Sequence, residues 1–335
     1  MIVFQQLPGF RRGNNQKPVF DRRILSGRIT VLQLFYTDTF EFPLPDSHRF
    51  PMSKYRMLRE TLQADVTARD AFQFAIPHAA TDEELLLVHH PDYLRAVCGG
   101  SLSEESIRQI GFPWSMELVE RSRRSTGATL EAAAAALDAG CAANLAGGTH
   151  HAYADRGEGF CVFNDVCVAA KWLQREHGIR QILIVDCDVH QGNGTARIAE
   201  GDDSIFTFSI HSQTNYPFRK EKSDLDVGLA RGTGDEGYLN ALSSALESIA
   251  QRLVPEFVFY ISGADPYEQD RLGRLSLTKR GLASRDRMVL EQWGRRGIPV
   301  ALSMGGGYAD CLEDIVKIHS NTLCIAGEFS KQAVS

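Results

Sequence analysis

The stretch from residue 181 to 194, QILIVDCDVHQGNG, constrains the fold of this chain more than any other. It begins as an apolar run that is typical of a buried parallel strand, and it ends in Gly-Asn-Gly, which favours a turn. Asp186, Asp188 and His190 are spaced two residues apart, so an extended backbone places their side chains on one face. Open α/β sheets place their active sites at the carboxyl ends of such strands. The stretch therefore predicts a metal site.

Similar apolar runs recur along the chain and alternate with helical patterns, without internal repeats. The other predicted strands are TVLQLFY (30–36), SIFTFSI (204–210), FVFYIS (257–262) and IPVALSM (298–304). This alternation predicts a single α/β domain over residues 29–330, in which helices flank a mostly parallel central β-sheet. Residues 1–28 lean basic and contain helix-breaking proline and glycine, so we expect an N-terminal arm rather than a targeting segment.

Several local assignments follow from composition. The alanine-rich segment 126–146 predicts one packed helix that is stopped by Gly147 and Gly148. Thr81 and Glu84 form a capping-box pattern, and Pro91 can begin the next helix. Residues 212–235 are predicted to be a polar loop, and residues 323–326 are too short a run to assign. The adjacent His89 and His90 fit a polar helix junction better than a ligand site.

Polar side chains follow three of the predicted strands. Asp188 and His190 follow the first, Asp265 follows FVFYIS, and Tyr308 follows IPVALSM behind three glycines. Two aspartates and one histidine with an open position are typical of a catalytic zinc site, and iron or manganese would tolerate the same ligands. Tyr308 can donate a hydrogen bond to a developing oxyanion. These residues predict metal-assisted chemistry at one edge of the sheet.

A tandem histidine, His150-His151, lies in a glycine-flanked segment and supplies candidate general bases or acids. Each ring needs a partner on its other nitrogen, and Asp186 and Asn193 are the available candidates. Any one of these residues alone is more often a cap or surface residue than a catalytic group. It is their concurrence at strand ends and glycine turns that indicates a site.

The chain resembles the histone deacetylase superfamily, the metal-dependent amidohydrolases of the arginase-deacetylase fold, from about residue 30 to 325. The motifs that carry the resemblance are GGTHHA (147–152), GFCVFND (159–165), DCDVHQGNG (186–194), GAD (263–265) and GGGY (305–308). The segment HRFPMSKY (48–55) and Gln191 are more similar to bacterial and class IV-like members than to the nuclear class I enzymes.

This resemblance implies a role for each matching residue. Zinc would be held by Asp188, His190 and Asp265, the histidine pair would lie beside the attacking water, and Tyr308 would polarise the scissile carbonyl. The channel for the acyl-lysine stem would be lined by Gly159, Phe160 and Gly306. A structural K⁺ would be bound by Asp186, Asp188, His190, Ser209 and Ile210.

One departure from the class I pattern matters for the chemistry: class I enzymes have an acid at the position of Asn193. His151 would then have a neutral partner, whereas His150 keeps the carboxylate of Asp186. Because a neutral partner stabilises imidazolium less, we expect His151 to be the neutral base and His150 the charged member of the pair.

The expected activity is zinc-dependent removal of an acetyl or longer acyl group from lysine side chains of a protein. Three alternatives remain open: deacetylation of acetylpolyamines or other small amines, an arginase-like binuclear manganese hydrolase, and a non-catalytic binding protein. Among the acids of the rim loops, 37–51 and 212–235, five give the rim an acidic character that would suit a cationic substrate, namely Asp38, Glu41, Asp46, Asp224 and Asp226. Arg219, Lys220 and Lys222 offset part of that charge.

Composition bounds the remaining possibilities. A formal net charge of -6 gives no support to nucleic-acid binding, and no apolar stretch is long enough to span a membrane. Seven cysteines without a Cys-x-x-Cys pair fit small apolar residues in a reduced compartment, so we expect a cytoplasmic protein. The sequence leaves the oligomeric state open.

Overall fold

A parallel sheet of eight strands runs through the centre of the molecule, in the order β2-β1-β3-β8-β7-β4-β5-β6. The structure is a computed structural model, and it describes residues 31–45, 47–65 and 69–330. The strands are β1 Leu32–Phe35, β2 Phe72–Ala75, β3 Cys141–Asn144, β4 Ile182–Asp186, β5 Ile205–Ser212, β6 Leu225–Leu229, β7 Phe257–Ile261 and β8 Val300–Ser303. The predicted single α/β domain is confirmed. The predicted arm, 1–28, lies outside the described residues.

Helices cover both faces of the sheet. They are α1 Ser53–Ala64, α2 Asp82–Leu85, α3 Pro91–Gly99, α4 Glu104–Ile110, α5 Met116–Ala139, α6 Asp165–His177, α7 Asn193–Ala199, α8 Asp235–Arg252, α9 Lys279–Gly294 and α10 Leu312–Gly327. One apolar core contains side chains of α1, α8, α9 and α10, and the other contains side chains of α3, α5 and α6. In the described part of the chain, no helix is both long and apolar enough to cross a bilayer.

Strand β4 shows why the opening run is apolar throughout. Leu183 and Val185 point into one core, and Ile182 and Ile184 point into the other. Both faces of the strand are therefore buried, as in other parallel sheets whose faces are covered by helices. The alternation continues past the strand, so that Cys187 packs into the same core as Val185.

The alanine-rich segment is divided differently from the prediction. Helix α5 ends at Ala139, and Gly140 closes it with a φ of 80°. The next four residues form β3, which pairs in parallel with β1 and β8 near the middle of the sheet. Helix propensity favoured one continuous helix, but pairing with two buried strands overrides propensity for these small side chains.

The other differences between the predicted and the observed elements involve fewer residues. The predicted loop 212–235 contains β6, which pairs with β5, and α7 begins at Asn193 where the sequence predicted only a turn. The unassigned run 323–326 belongs to α10. The capping box of Thr81 and Glu84 is confirmed, and Pro91 does begin α3, with His90 as its N-cap residue.

Candidate metal-dependent active site

Four adjacent strands, β3, β8, β7 and β4, end at one edge of the sheet. The side chains that follow them are, in the same order, His150 and His151, then Tyr308, then Asp265, then Asp188 with His190. Because the strands are parallel, their carboxyl ends meet at the same edge. The sequence identified three of these strand ends. The prediction lacks the fourth, because helix propensity extends through β3, although it includes the two histidines that follow this strand.

Asp188, His190 and Asp265 converge on one buried point. His190 Nδ1 lies 3.0 Å from Asp188 Oδ1 and 3.3 Å from Asp265 Oδ2. One candidate ligand atom from each of the three residues lies within 4.8 Å of the others. Asp265 Oδ2 is buried with no donor in hydrogen-bonding geometry among the described residues. A buried carboxylate oxygen without a partner is costly, so the set fits a bound cation.

The electrostatics of these residues also indicate a missing positive charge. Burial and the neighbouring charge of Asp188 raise the pKa of Asp265 to about 7. Burial alone would lower the pKa of His190, but its hydrogen bond to Asp188 and the nearby charges of Asp188 and Asp265 raise it to about 10. Both raised pKa values reflect the negative charge that the carboxylates concentrate at this point. A metal ion would supply the missing positive charge.

The glycine run before Tyr308 closes over the same carboxylates. Gly306 N–H donates to Asp188 Oδ2 over 2.7 Å. A Cβ atom at position 306 would overlap Asp265 Oδ2 and would lie 2.8 Å from Asp188 Oδ2. Tyr308 N–H donates to Asp270 Oδ2 over 2.6 Å. Only glycine allows the backbone this approach, and the loop thereby places Tyr308 beside the ligand residues.

The two histidines lie side by side, with ring centroids 4.2 Å apart, and have different partners. His150 Nδ1 is 2.6 Å from Asp186 Oδ2, and His151 Nδ1 is 2.6 Å from Asn193 Oδ1. Burial opposes ionisation of His150, but the charges of Asp186 and Asp188 raise its pKa to about 9. Burial and the charges of His150 and His190 lower the pKa of His151 well below its ordinary value. His150 therefore binds its proton more tightly than His151 does.

An aromatic pocket leads to these groups. Its lining includes Phe50, Phe160 and Tyr308 together with both histidines, Asp188 and His190. The Phe160 ring centroid lies 5.4 Å from that of Phe50 and 6.2 Å from that of Tyr308. Phe160 has a φ of 66°, which is costly for a side chain other than glycine and is typical of functional sites. Burial raises the pKa of Tyr308 well above its ordinary value, so its hydroxyl stays a donor.

The structure also locates the remaining predicted residues. Gly159 has a φ of 56°, and a Cβ there would lie 2.8 Å from His151 Cδ2, so glycine lets this backbone pass the ring. Ser209 lies opposite Asp186 in the parallel register of β4 and β5, and Ile210 follows it. The K⁺ site assigned to these residues stays a prediction.

Several residues that support the site were not identified from the sequence. Arg285 is fully buried on α9, pairs with Asp286, and donates to the carbonyls of Gly263 (2.6 Å) and Cys187 (3.3 Å). Lys54 donates to Gly307 O over 3.2 Å. Lys54 lies in the segment 48–55 that resembles bacterial and class IV-like members, but no role was predicted for it, and Arg285 lies in no recognisable pattern. Each reaches the site from a distant element. The only available signal was charge within otherwise amphipathic helices.

The rim differs from the expected acidic surface. Asp38 is buried and paired with Arg59 at 2.8 Å. Asp224 accepts hydrogen bonds from Thr207 N–H and Oγ1–H, and Asp226 accepts from Gln191 Nε2. These three acids are engaged within the fold, so they do not offer free negative charge to a substrate. Of the other two acids, Glu41 is exposed, and Asp46 lies outside the described residues.

Residues 48–323 match the histone deacetylase domain. The chain is 44% identical over 287 residues to an uncharacterised protein of Picosynechococcus sp., an alignment that covers 85% of this chain and 95% of that one. It is 27% identical to histone deacetylase 2 of Arabidopsis thaliana, covering 90% and 83% of the two chains. The crystal structure of an HDAC homologue complexed with SAHA superposes with a TM-score of 0.76 at 25% identity, covering 89% of this chain and 84% of that one.

The domain match spans most of the chain, and the parallel sheet, the ligand set and the histidine pair agree with it. The chain therefore belongs to the histone deacetylase family and is a hydrolytic deacetylase.

Proposed function

We propose that the chain is a zinc-dependent amidohydrolase that removes an acetyl or longer acyl group from lysine side chains. The observation that carries this proposal is the histidine pair, which has a carboxylate partner on His150 and an amide partner on His151 and lines the same pocket as Asp188, His190 and Tyr308. Hydrolysis of an amide needs a base, a proton donor and oxyanion stabilisation, and this pocket offers a residue for each.

Asp188, His190 and Asp265 would hold the ion through oxygen and nitrogen atoms. A divalent metal bound there supplies carbonyl polarisation and acidifies water. His151 has its Nδ1 engaged by Asn193, so its Nε2 is the atom that takes the proton from water. Tyr308 donates a hydrogen bond to the developing oxyanion. The histidine pair then returns a proton to the leaving amine.

Zinc is favoured over a binuclear manganese centre by the number of ligand clusters. Within the residues that the structure describes, only Asp188, His190 and Asp265 form a group of three that could hold an ion. Elemental analysis of the purified protein should give one zinc per chain. Two manganese ions per chain with arginase-type activity would contradict the assignment.

Acyl-lysine in a protein is favoured over acetylated polyamines by the rim. Small polycationic substrates need free acidic charge at the mouth, and Asp38, Asp224 and Asp226 are engaged within the fold. Phe218 is instead 83% exposed beside Tyr216, with ring centroids 6.3 Å apart. This aromatic surface suits contact with a larger, partly apolar substrate.

Tyr308→Phe tests the chemistry. We expect turnover of an acetyl-lysine peptide to fall by about 10²–10³-fold because the oxyanion loses its donor, while bound metal is unchanged. Tyr238→Phe is the matched control, since it also removes a buried hydroxyl, but on α8, outside the pocket. Full activity of Tyr308→Phe would rule out this mechanism, and a panel of acyl-lysine peptides and acetylpolyamines would identify the substrate.

We also propose a structural K⁺ at Asp186, Asp188, His190, Ser209 and Ile210. Potassium-dependent thermal stability would support it, and equal stability in sodium and potassium would count against it. All seven cysteines are free, which supports a reducing, cytoplasmic setting for a catalytic domain that spans residues 29–330. Localisation of a tagged full-length chain would test that setting.

A further inference from the structure

The amide of Asn193 is held on both sides. Its Oδ1 lies 2.6 Å from His151 Nδ1, and its Nδ2 lies 3.0 Å from Tyr153 Oη and 3.4 Å from Glu158 Oε1. An asparagine amide can present either its oxygen or its nitrogen to a neighbour, and the other hydrogen bonds decide which. The hydrogen-bond partners of Asn193 that lie away from His151 therefore determine whether the amide oxygen or the amide nitrogen faces the His151 ring.

Both of those partners are acceptors. Glu158, as a carboxylate, can only accept, and Tyr216 Oη–H already donates to the same Oε1 atom. Tyr153 Oη–H donates to Glu221 Oε1 over 3.2 Å, so its oxygen is free to accept from Asn193. The NH₂ group of Asn193 must face these acceptors, and its Oδ1 must face His151. The proton of the His151 ring is then on Nδ1, and the lone pair is on Nε2.

We propose that Glu158 is a positioning residue that, with Tyr153, fixes the amide of Asn193 and thereby the tautomer of His151. The proposal rests on the function proposed above, in which His151 Nε2 takes a proton. It also accounts for the amide at position 193, because a carboxylate there would stand 3.4 Å from the carboxylate of Glu158. The amide of Asn193 and the carboxylate of Glu158 are therefore complementary as hydrogen-bond donor and acceptor.

Glu158 acts on His151 along a second route. The hydroxyl of Tyr216 donates to Glu158, and the Tyr216 ring packs edge-on against the His151 ring, with centroids 4.9 Å apart and an interplanar angle of 81°. The backbone of Glu158 is itself fixed, since it exchanges two hydrogen bonds with Cys161, of 3.0 and 2.9 Å. One carboxylate on a rigid turn therefore restrains both the amide partner and the packing partner of His151.

The test exchanges the amide of position 193 with the carboxylate of position 158 in the metal-loaded enzyme, through Asn193→Asp and Glu158→Gln. Asn193→Asp alone should lower kcat by about tenfold or more, because two carboxylates then face each other, and Glu158→Gln alone should lower it by about threefold. The double variant should recover to within about threefold of the wild-type kcat, because the Gln amide can donate to the new carboxylate. Asp155→Asn is the control, since it removes an exposed carboxylate from the same loop and should leave kcat unchanged.

A second readout separates positioning from simple loss of structure. In ¹⁵N NMR spectra, His151 of the wild type should be protonated at Nδ1, and Glu158→Ala should add a population protonated at Nε2. Additive effects in the double variant, or an unchanged tautomer in Glu158→Ala, would overturn the proposal.

The coupling between Asn193 and Glu158 can still be tested if the proposed function is wrong. If the wild type hydrolyses no acylated amine, thermal unfolding of the same four proteins still measures the Asn193–Glu158 coupling. Rescue of the melting temperature in the double variant would then support the pair, and additive losses would overturn it.

Discussion

His150 and His151 are neighbours in sequence and in space, yet their surroundings shift their pKa values in opposite directions. The two side chains are almost equally buried, at 3% and 4% exposure, so burial does not distinguish them. The partners do: the charges of Asp186 and Asp188 outweigh burial and raise the pKa of His150 to about 9, whereas His151 has an amide partner, so burial and the charge of His150 lower its pKa. The comparison teaches that a fold can give two adjacent histidines different affinities for a proton by pairing one with a carboxylate and the other with an amide.

Loss of the neutral ring should have the largest effect. His151→Ala should lower kcat for an acetyl-lysine peptide by about 10²–10⁴-fold, because the water loses its base. Metal content and melting temperature should stay close to the wild type, since His151 is outside the ligand set. A kcat within about tenfold of the wild type would place the base elsewhere.

Loss of the charged partner should have an intermediate effect that depends on pH. The folded-state pKa of His150 is raised, so the ring stays protonated through neutral pH and loses its proton near pH 9. Asp186→Asn removes the charge that stabilises imidazolium, so the alkaline limb of the kcat profile should move to lower pH by about one unit or more.

Asp186 is also the predicted K⁺ ligand, so the profiles of the wild type and Asp186→Asn should be compared at low and high potassium. A shift that potassium abolishes would assign the effect to the cation site. An alkaline limb that does not move at either concentration would break the distinction between the two histidines.

A third histidine, His89, shows how burial shifts the pKa of a ring that has no carboxylate partner. Its substitution should have the smallest effect on activity of the three. His89 is buried without a carboxylate partner in hydrogen-bonding distance, and Asn164 N–H donates to its Nε2 over 3.0 Å. Burial lowers its pKa to about 4. Between pH 6.5 and 4 the unfolded chain binds more protons at this residue, so the native state loses stability as the pH falls, by up to about 3 kcal/mol.

His89→Gln should flatten this pH dependence, since glutamine can accept the Asn164 bond and does not titrate. Urea unfolding at pH 7.5 and 5 would measure the difference. His90→Gln is the control, because His90 is exposed at a helix N-cap. Equal pH dependence in wild type and His89→Gln would show that burial alone does not keep this ring neutral.

Much of the fold and the ligand set could be predicted because strand ends carry their chemistry in short, regular patterns. Asp188, His190 and Asp265 each follow an apolar run, and parallel strands bring such ends together. β3 could not be predicted, because four small residues after an alanine-rich helix have no strand pattern of their own. Glu158 could not be predicted either. A single acid between two glycines gives no indication that it will meet Asn193, 35 residues away.

The backbone at Gly306 leaves the space over two ligand carboxylates free only because that residue has no side chain. A methyl group there would overlap Asp265 Oδ2, so that carboxylate or the loop that carries Tyr308 would have to move. Gly306→Ala is therefore expected to give a form of this protein that binds metal weakly although Asp188, His190 and Asp265 are all retained. Such a form would let the affinity of the pocket for an acyl chain be measured separately from the affinity of the metal for a ligand.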